Sequence, residues 1–200
     1  MVKRMFFKNK ENNIILVAGL GNLGEEYKNT RHNIGFDAAD LLHQKFGGTP
    51  FRLKHKALIS ECNIGGKKVI IAKPQTYMNL SGEAVAEITR FYKIKTENII
   101  IIFDDISLDV GKMRIRRNGT HGGHNGMKNI SEHMKTNDIM RIKIGVGQKP
   151  HPDYDLKDWV LGKFSASDTE NKEKALQKAV ASIEEIVNGF IERAMNKYNS

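Results

Sequence analysis

The sequence predicts a single α/β domain in which a twisted, mixed, mostly parallel sheet is flanked by helices. Short β-branched runs alternate along the chain with segments of helical period, the pattern of strands joined by crossover helices. Two hundred residues suit one domain and can bury a full core. No internal repeat or low-complexity linker divides residues 14–200, and residues 1–13 read as a basic N-terminal extension in front of that domain.

The elements follow in order. The first strand is Ile14–Ala18, a β-branched run that empties into Gly19-Leu20-Gly21-Asn22-Leu23-Gly24. A helix is predicted over Ile34–Phe46, with Ile34, Ala38, Leu41, Leu42 and Phe46 on one face and Gly47-Gly48 to end it. A weaker strand, Ala57–Ile64, and a clearer one, Lys68–Ala72, flank Gly65-Gly66 and read as a hairpin. Ser81–Tyr92 carries Val85, Ile88 and Phe91 at helical spacing. Ile99–Phe103 is an apolar strand, Lys112–Arg116 an alternating basic one, Asn125–Met134 a short helix and Arg141–Val146 the last strand. Ser167-Asp168-Thr169-Glu170 has the spacing of a capping box, and it opens a long amphipathic helix broken near Gly189.

Composition narrows the function classes. The 40% hydrophobic and 28% charged content is that of a soluble globular protein, and no apolar run approaches the roughly 20 residues of a membrane span. Met5-Phe6-Phe7 is too short for a signal-peptide core. Cys62 is the only cysteine, which excludes an intramolecular disulfide and a Cys-based zinc cluster and points to a reducing cytoplasm. The net charge of +9 suits a polyanionic partner, although Lys-rich proteins are often basic without one, so where the charge sits matters more.

Gly19–Gly24 spells G-x-G-x-x-G, the fingerprint of dinucleotide binding. That reading requires a helix to start inside the motif. Here Glu25–Asn33 is polar without a helical face, the helix begins near Asn33 or Ile34, and two glutamates stand where a pyrophosphate would sit. No strand ending in an acidic residue comes about 20 residues later. The glycines instead fit a tight loop that presents side chains.

In an open α/β sheet, residues beyond the carboxyl ends of parallel strands converge on one crevice. Asn22 and His32 lie in the loop after the first strand. Tyr77 and Asn79 lie after Lys68–Ala72, and Asp104 and Asp105 directly after Ile99–Phe103. A histidine held by a carboxylate can act as general base, and neutral amides can stabilise an oxyanion. No G-x-S-x-G elbow is present, and Cys62 sits in an alternating strand as a structural residue, so water is the expected nucleophile.

These residues lie in stretches that resemble the bacterial peptidyl-tRNA hydrolase family. The stretches are GLGNLGEEYKNTRHNIGF (Gly19–Phe36), KPQTYMNLSG (Lys73–Gly82), DDISLDVGKMRIR (Asp104–Arg116), GGHNGMK (Gly122–Lys128), RIKIGVG (Arg141–Gly147) and DWVLGKF (Asp158–Phe164). Each is weak alone; six in family order across residues 14–165 are specific. The resemblance implies a cytoplasmic, monomeric esterase that frees tRNA from peptidyl-tRNA released by the ribosome, without cofactor or metal. His32 falls on the family's catalytic histidine, and Asp104 on the aspartate that orients it. Asn22 falls on the asparagine that distinguishes peptidyl-tRNA from free aminoacyl-tRNA, expected here to accept from the substrate's amide N–H. Tyr27, Tyr77, Asn79, Asn125 and His124 fall on the substrate side. Arg114, Arg116, Arg117 and Lys143 fall where the family grips tRNA phosphate, although the family often has Arg in place of Lys143. Asp158–Phe164 would be a flap over the crevice.

Blander readings compete. His32 alone could equally cap the helix that follows it. Asp104-Asp105 could be a Mg²⁺ pair, and His121 and His124 have an i, i+3 spacing without a third ligand nearby. Lys112, Arg114 and Arg116 could be a solvated edge protected by charge, with Arg141 and Lys143 nearby favouring phosphate binding instead. Lys172, Lys174 and Lys178 read as a solvated helix face. At the level of function, a catalytically silent RNA-binding relative and a dinucleotide oxidoreductase are the alternatives to the esterase.

Overall fold

A computed structural model describes residues 13–199. Of the basic extension 1–13, all but Asn13 lies outside them. Seven strands form one sheet in the order β2-β3-β4-β1-β5-β7-β6. They are β1 (Ile15–Gly19), β2 (Arg52–Lys54), β3 (Ala57–Ile64), β4 (Lys67–Pro74), β5 (Ile99–Asp105), β6 (Met113–Arg116) and β7 (Met140–Gly145). The central strands β4, β1, β5 and β7 run parallel, and antiparallel strands close both edges. The predicted mixed, mostly parallel sheet is the observed one.

Alternation along β1 and β5 builds two cores, one per face. Ile15, Val17, Ile100 and Ile102 pack under α1 (Ile34–Phe46) and α5 (Thr169–Val187). Leu16, Ala18, Ile99, Ile101 and Phe103 pack under α2 (Ser81–Tyr92) and α3 (Asn125–Met134). Two further helices complete the described chain, α4 (Leu156–Leu161) and α6 (Ile191–Tyr198). Gly65 and Gly66 join β3 to β4 with φ of +57° and +79°, the left-handed pair that a two-residue hairpin turn demands.

Three expectations change. β2 was not predicted, because its three residues are all exposed and carry no burial pattern. The capping box does not form: Ala166–Asp168 make a short 3₁₀ turn, and no side chain caps α5. Lys172 is not a freely solvated lysine, since it pairs with Asp37 at 3.0 Å across α5 and α1.

Candidate active site

The glycine loop explains itself through packing. A Cβ on Gly19 would overlap the backbone carbonyl of Gly35, and one on Gly35 would overlap the backbone of Leu20 and Ile102. β1 and the first turn of α1 are therefore in backbone contact, which only paired glycines allow. Gly21 lies against the Phe36 ring, and Gly24 adopts φ +118°. The helix after β1 starts at Ile34, past two 3₁₀ turns, so its N-terminus does not meet the glycines as a pyrophosphate site requires.

What the loop presents is the 3₁₀ turn Arg31-His32-Asn33. Asn33 locks the turn to the end of β1: its Oδ1 accepts from the Asn22 N–H at 2.8 Å and its Nδ2 donates to the Asn22 carbonyl at 2.9 Å. His32 then faces the end of β5, where its Nδ1 lies 2.8 Å from Asp104 Oδ1. His124, from the far side, places Nε2 3.0 Å from the same oxygen.

Hydrogen-bond arithmetic sets the protons. His124 is the N-cap of α3, and its Nδ1 accepts the Met127 N–H at 3.2 Å. A ring nitrogen that accepts has no proton, so the neutral ring carries its proton on Nε2 and donates it to Asp104. Asp104 likewise accepts from His32 Nδ1–H, which leaves the His32 Nε2 lone pair outside the pair. Burial pushes the Asp104 carboxyl up, but the two imidazoles and their hydrogen bonds outweigh it and hold the group well below the usual carboxylate range. Asp104 is buried and ionised.

A cavity of about 630 Å³ opens at this point, bounded by the carboxyl ends of the parallel strands. Its lining includes Asn22, Tyr27, His32, Tyr77, Asn79, Asp104, His124, Asn125 and Lys143, nine of the twelve predicted site residues; Arg114, Arg116 and Arg117 are not among them. Tyr77, Asn79 and Asn125 are exposed there and carry no fixed protein partner, while Tyr27 is half-buried. Sequence reasoning missed Met78, His121 and Leu156 in the wall, while Val160 and Leu161 belong to the Asp158–Phe164 stretch expected to cover the crevice.

Asn22, Lys143 and Arg141 all have partners within the chain. Asn22 Oδ1 already accepts the Met78 N–H at 2.8 Å, so one lone pair of the expected acceptor is spent and the NH₂ adds a donor. Arg141 is 1% exposed and spends its guanidinium on the carbonyls of Thr120, Asn137 and Ile139; it ties together the segments before and after α3 and is sealed from a phosphate. Lys143 lines the cavity and bonds Asp105 Oδ2 at 2.7 Å.

The Mg²⁺ reading of Asp104-Asp105 also fails. Asp104 is held by two imidazoles, and Asp105 accepts from Lys143, Ser107 N–H and Ser107 Oγ. Burial raises the Asp105 carboxyl, yet those bonds bring it below its ordinary value. The i, i+3 pair fares no better, since His121 Nδ1 takes the Gly123 N–H while His124 faces Asp104. His32, Asp104 and His124 do bring three ligand-type atoms within 4.8 Å of one another. With the tautomers above, the two ring nitrogens that face Asp104 Oδ1 carry protons, an arrangement suited to proton transfer.

Arg114 and Arg116 remain on one face of β6, opposite Lys143 and Arg141 in register, with Arg116 exposed at the sheet edge. Arg117 bonds Glu192 at 2.6 Å. Cys62 is a half-buried free thiol of β3, raised by burial, far from the carboxyl ends of the strands.

This arrangement has close relatives. The family described as peptidyl-tRNA hydrolase matches residues 16–200. The peptidyl-tRNA hydrolase of Clostridium botulinum (strain Hall) is 50% identical over 184 residues, 92% of this chain and 96% of that one. That of Alkaliphilus metalliredigens is 49% identical over 185 residues, with 92% and 98% covered. A crystal structure of peptidyl-tRNA hydrolase from Acinetobacter baumannii superimposes with a TM-score of 0.88 at 34% identity, covering 94% of this chain and 96% of that one. A family model matched over residues 16–200, with relatives about half identical along nearly their whole length, places the chain in the peptidyl-tRNA hydrolase family.

Proposed function

We propose that this protein hydrolyses the ester between a peptide and the 3′-terminal ribose of tRNA, acting on peptidyl-tRNA that has left the ribosome. The observation that carries the reading is the buried His32–Asp104 contact of 2.8 Å at the head of the cavity. His32 Nε2 takes a proton from a water, whose oxygen attacks the ester carbonyl carbon. Asp104 keeps the base in the required tautomer and stabilises the imidazolium. The Asn22 NH₂ and the amides of Asn79 and Asn125 are neutral donors suited to the carbonyl oxygen as it gains charge. When the tetrahedral adduct collapses, the imidazolium returns the proton to the departing ribose oxygen. Acid and tRNA leave, and His32 is again a base.

Arg114 and Arg116, continuing outward from Lys143 across the β6–β7 register, offer a basic track for the tRNA backbone. Such a substrate places the enzyme in the cytoplasm, where a lone free thiol stays reduced. Among the described residues no helix is long and apolar enough to cross a membrane.

The test is turnover of N-acetyl-aminoacyl-tRNA. Wild type should release acid and tRNA. His32→Ala should lose about 10²–10⁴-fold in kcat, the range of a general base, while still binding tRNA. Binding without turnover in the wild type would make this a silent RNA-binding relative.

A further inference from the structure

Arg31 is a buried cation that touches no carboxylate among the described residues; Asp168 acts on its charge only from beyond contact distance. The residue is 6% exposed and, among the described residues, forms no ion pair. Its guanidinium carbon instead lies 3.5 Å from the centroid of the Trp159 ring and 5.5 Å from that of Phe164. Nη1 donates to the Trp159 carbonyl at 3.3 Å, and Nε is buried without a partner. The backbones join at the same place. Arg31 N–H donates to the Gly162 carbonyl at 3.0 Å, and Thr30 bridges antiparallel to Lys163. A Cβ on Gly162 would stand 2.9 Å from Arg31 Nη1, so the approach depends on glycine. Trp159 is in turn tied to the end of β7 through Nε1–H to the Gly147 carbonyl, 2.9 Å.

Burying a guanidinium without a contacting carboxylate is costly, burial here outweighs the distant charge of Asp168, and an apolar side chain of that length would fill the space without the cost. The cation is therefore at odds with packing as its only purpose. Its neighbours suggest the reason. Arg31, His32 and Asn33 form a single turn, in which Asn33 fixes Asn22 and His32 is the base. Trp159 sits in α4, whose Leu156, Val160 and Leu161 form one wall of the cavity. One short turn thus touches the base, the amide donor and the wall.

We propose that Arg31 is a positioning residue: by gripping the Trp159 face it holds the α4 wall against the turn that carries His32. The substrate ester then meets Nε2 at one distance and angle. This rests on the esterase reading above. Misplacement of about 1 Å at a reacting centre can cost about 10²-fold, so a slack wall is expressed in the chemical step.

Trp159 is the only tryptophan in the chain, so its emission reports the grip without any turnover. Arg31→Met keeps the stem volume and removes the guanidinium. Acrylamide quenching of Trp159 should rise in this variant. Its kcat on N-acetyl-aminoacyl-tRNA should fall about tenfold with KM changed less than about threefold, and the acid limb of the pH–rate profile should not move, because His32 and Asp104 are untouched. Trp159→Phe retains an aromatic face for the cation and should keep most of kcat, whereas Trp159→Leu should match Arg31→Met. The double variant Arg31→Met with Trp159→Leu should be no worse than either single change, since one contact is removed twice.

Wild-type kcat in Arg31→Met, with only a lower thermal midpoint, would reduce Arg31 to packing. If Arg31→Met does not fold, equal kcat in Trp159→Phe and Trp159→Leu overturns the proposal on its own. Absent turnover by the wild type, or full turnover by His32→Ala, sinks the esterase reading and takes this proposal with it. Normal wild-type turnover with unaltered Arg31→Met kcat sinks the proposal alone.

Discussion

His32 and His124 share one oxygen. From opposite sides, Nδ1 of the first and Nε2 of the second lie 2.8 and 3.0 Å from Asp104 Oδ1, with the ring centroids 5.2 Å apart. The carboxylate accepts from both rings, so its charge is what keeps His32 oriented and able to become an imidazolium. Asp104→Asn should lower kcat less than His32→Ala does, because a badly oriented imidazole can still activate water. An Asp104→Asn kcat equal to that of the wild type would argue against the pair.

The same carboxylate should be visible in stability. Its folded pKa lies below that of the unfolded chain, about 3.9. Such a group contributes stability that is complete above the unfolded value and is lost as pH falls through and below it toward the folded value. Wild type should therefore lose stability steeply below about pH 4. Asp104→Asn, weaker at neutral pH, should lose less over that window. Urea midpoints between pH 7 and pH 2.5 measure it, and parallel curves for the two proteins would contradict the linkage.

His124 has two separable jobs, capping α3 and steadying Asp104. His124→Asn retains a good cap but is too short to serve both ends; His124→Ala loses both. The two variants should differ by about 1 kcal/mol in stability, the usual worth of an N-cap, while showing similar losses of kcat. Equal thermal midpoints would show that the Met127 N–H bond contributes nothing.

Asn22→Asp should change specificity. The substituted oxygen still accepts the Met78 N–H, so the loop is kept, while the NH₂ that faces the cavity becomes a second carboxylate oxygen. Turnover of N-acetyl-aminoacyl-tRNA should fall, and its rate advantage over free aminoacyl-tRNA should narrow by about tenfold, because a carboxylate favours the ammonium of the unblocked substrate. If both rates fall together with the ratio intact, Asn22 acts on the ester carbonyl alone.

The basic residues should divide by location. Arg116→Ala, exposed at the sheet edge, should raise KM and flatten the slope of log K against log salt by about 0.7–0.9, leaving kcat intact. Lys143→Ala, inside the cavity on Asp105, should also impair short 3′-adenosine esters that lack a duplex. Arg141→Ala should chiefly lower the thermal midpoint, since three loop carbonyls lose their donor. Lys174→Ala, on the exposed pair with Glu170, is the control and should change little. Identical salt slopes for Arg116→Ala and wild type would leave the basic edge a matter of solubility.

Local sequence determined a great deal here. Helices α1, α2 and α3 begin and end where periodicity and the flanking residues place them, because each buries one continuous apolar face and stops at a residue in the left-handed region. The order of strands and helices, with polar residues after each parallel strand, already announced one crevice and its base, carboxylate and amides. Other features carry no local signal. β2 is a strand only because β3 offers it an edge, and Ser167 is no cap because the chain enters α5 through a 3₁₀ turn. Arg141 and Arg116 look alike in a basic strand pattern, yet one is sealed beneath a loop and the other meets water. The direction of the Asn22 amide follows from a Met78 N–H 56 positions away, and the cation of Arg31 is answered by a ring 128 positions away. Propensity and periodicity are properties of neighbours along the chain, so they determined the elements and their order. Hydrogen bonds and stacking between distant residues depend on how those elements pack, so the tertiary structure alone decided which side chains serve the reaction and which hold it in place.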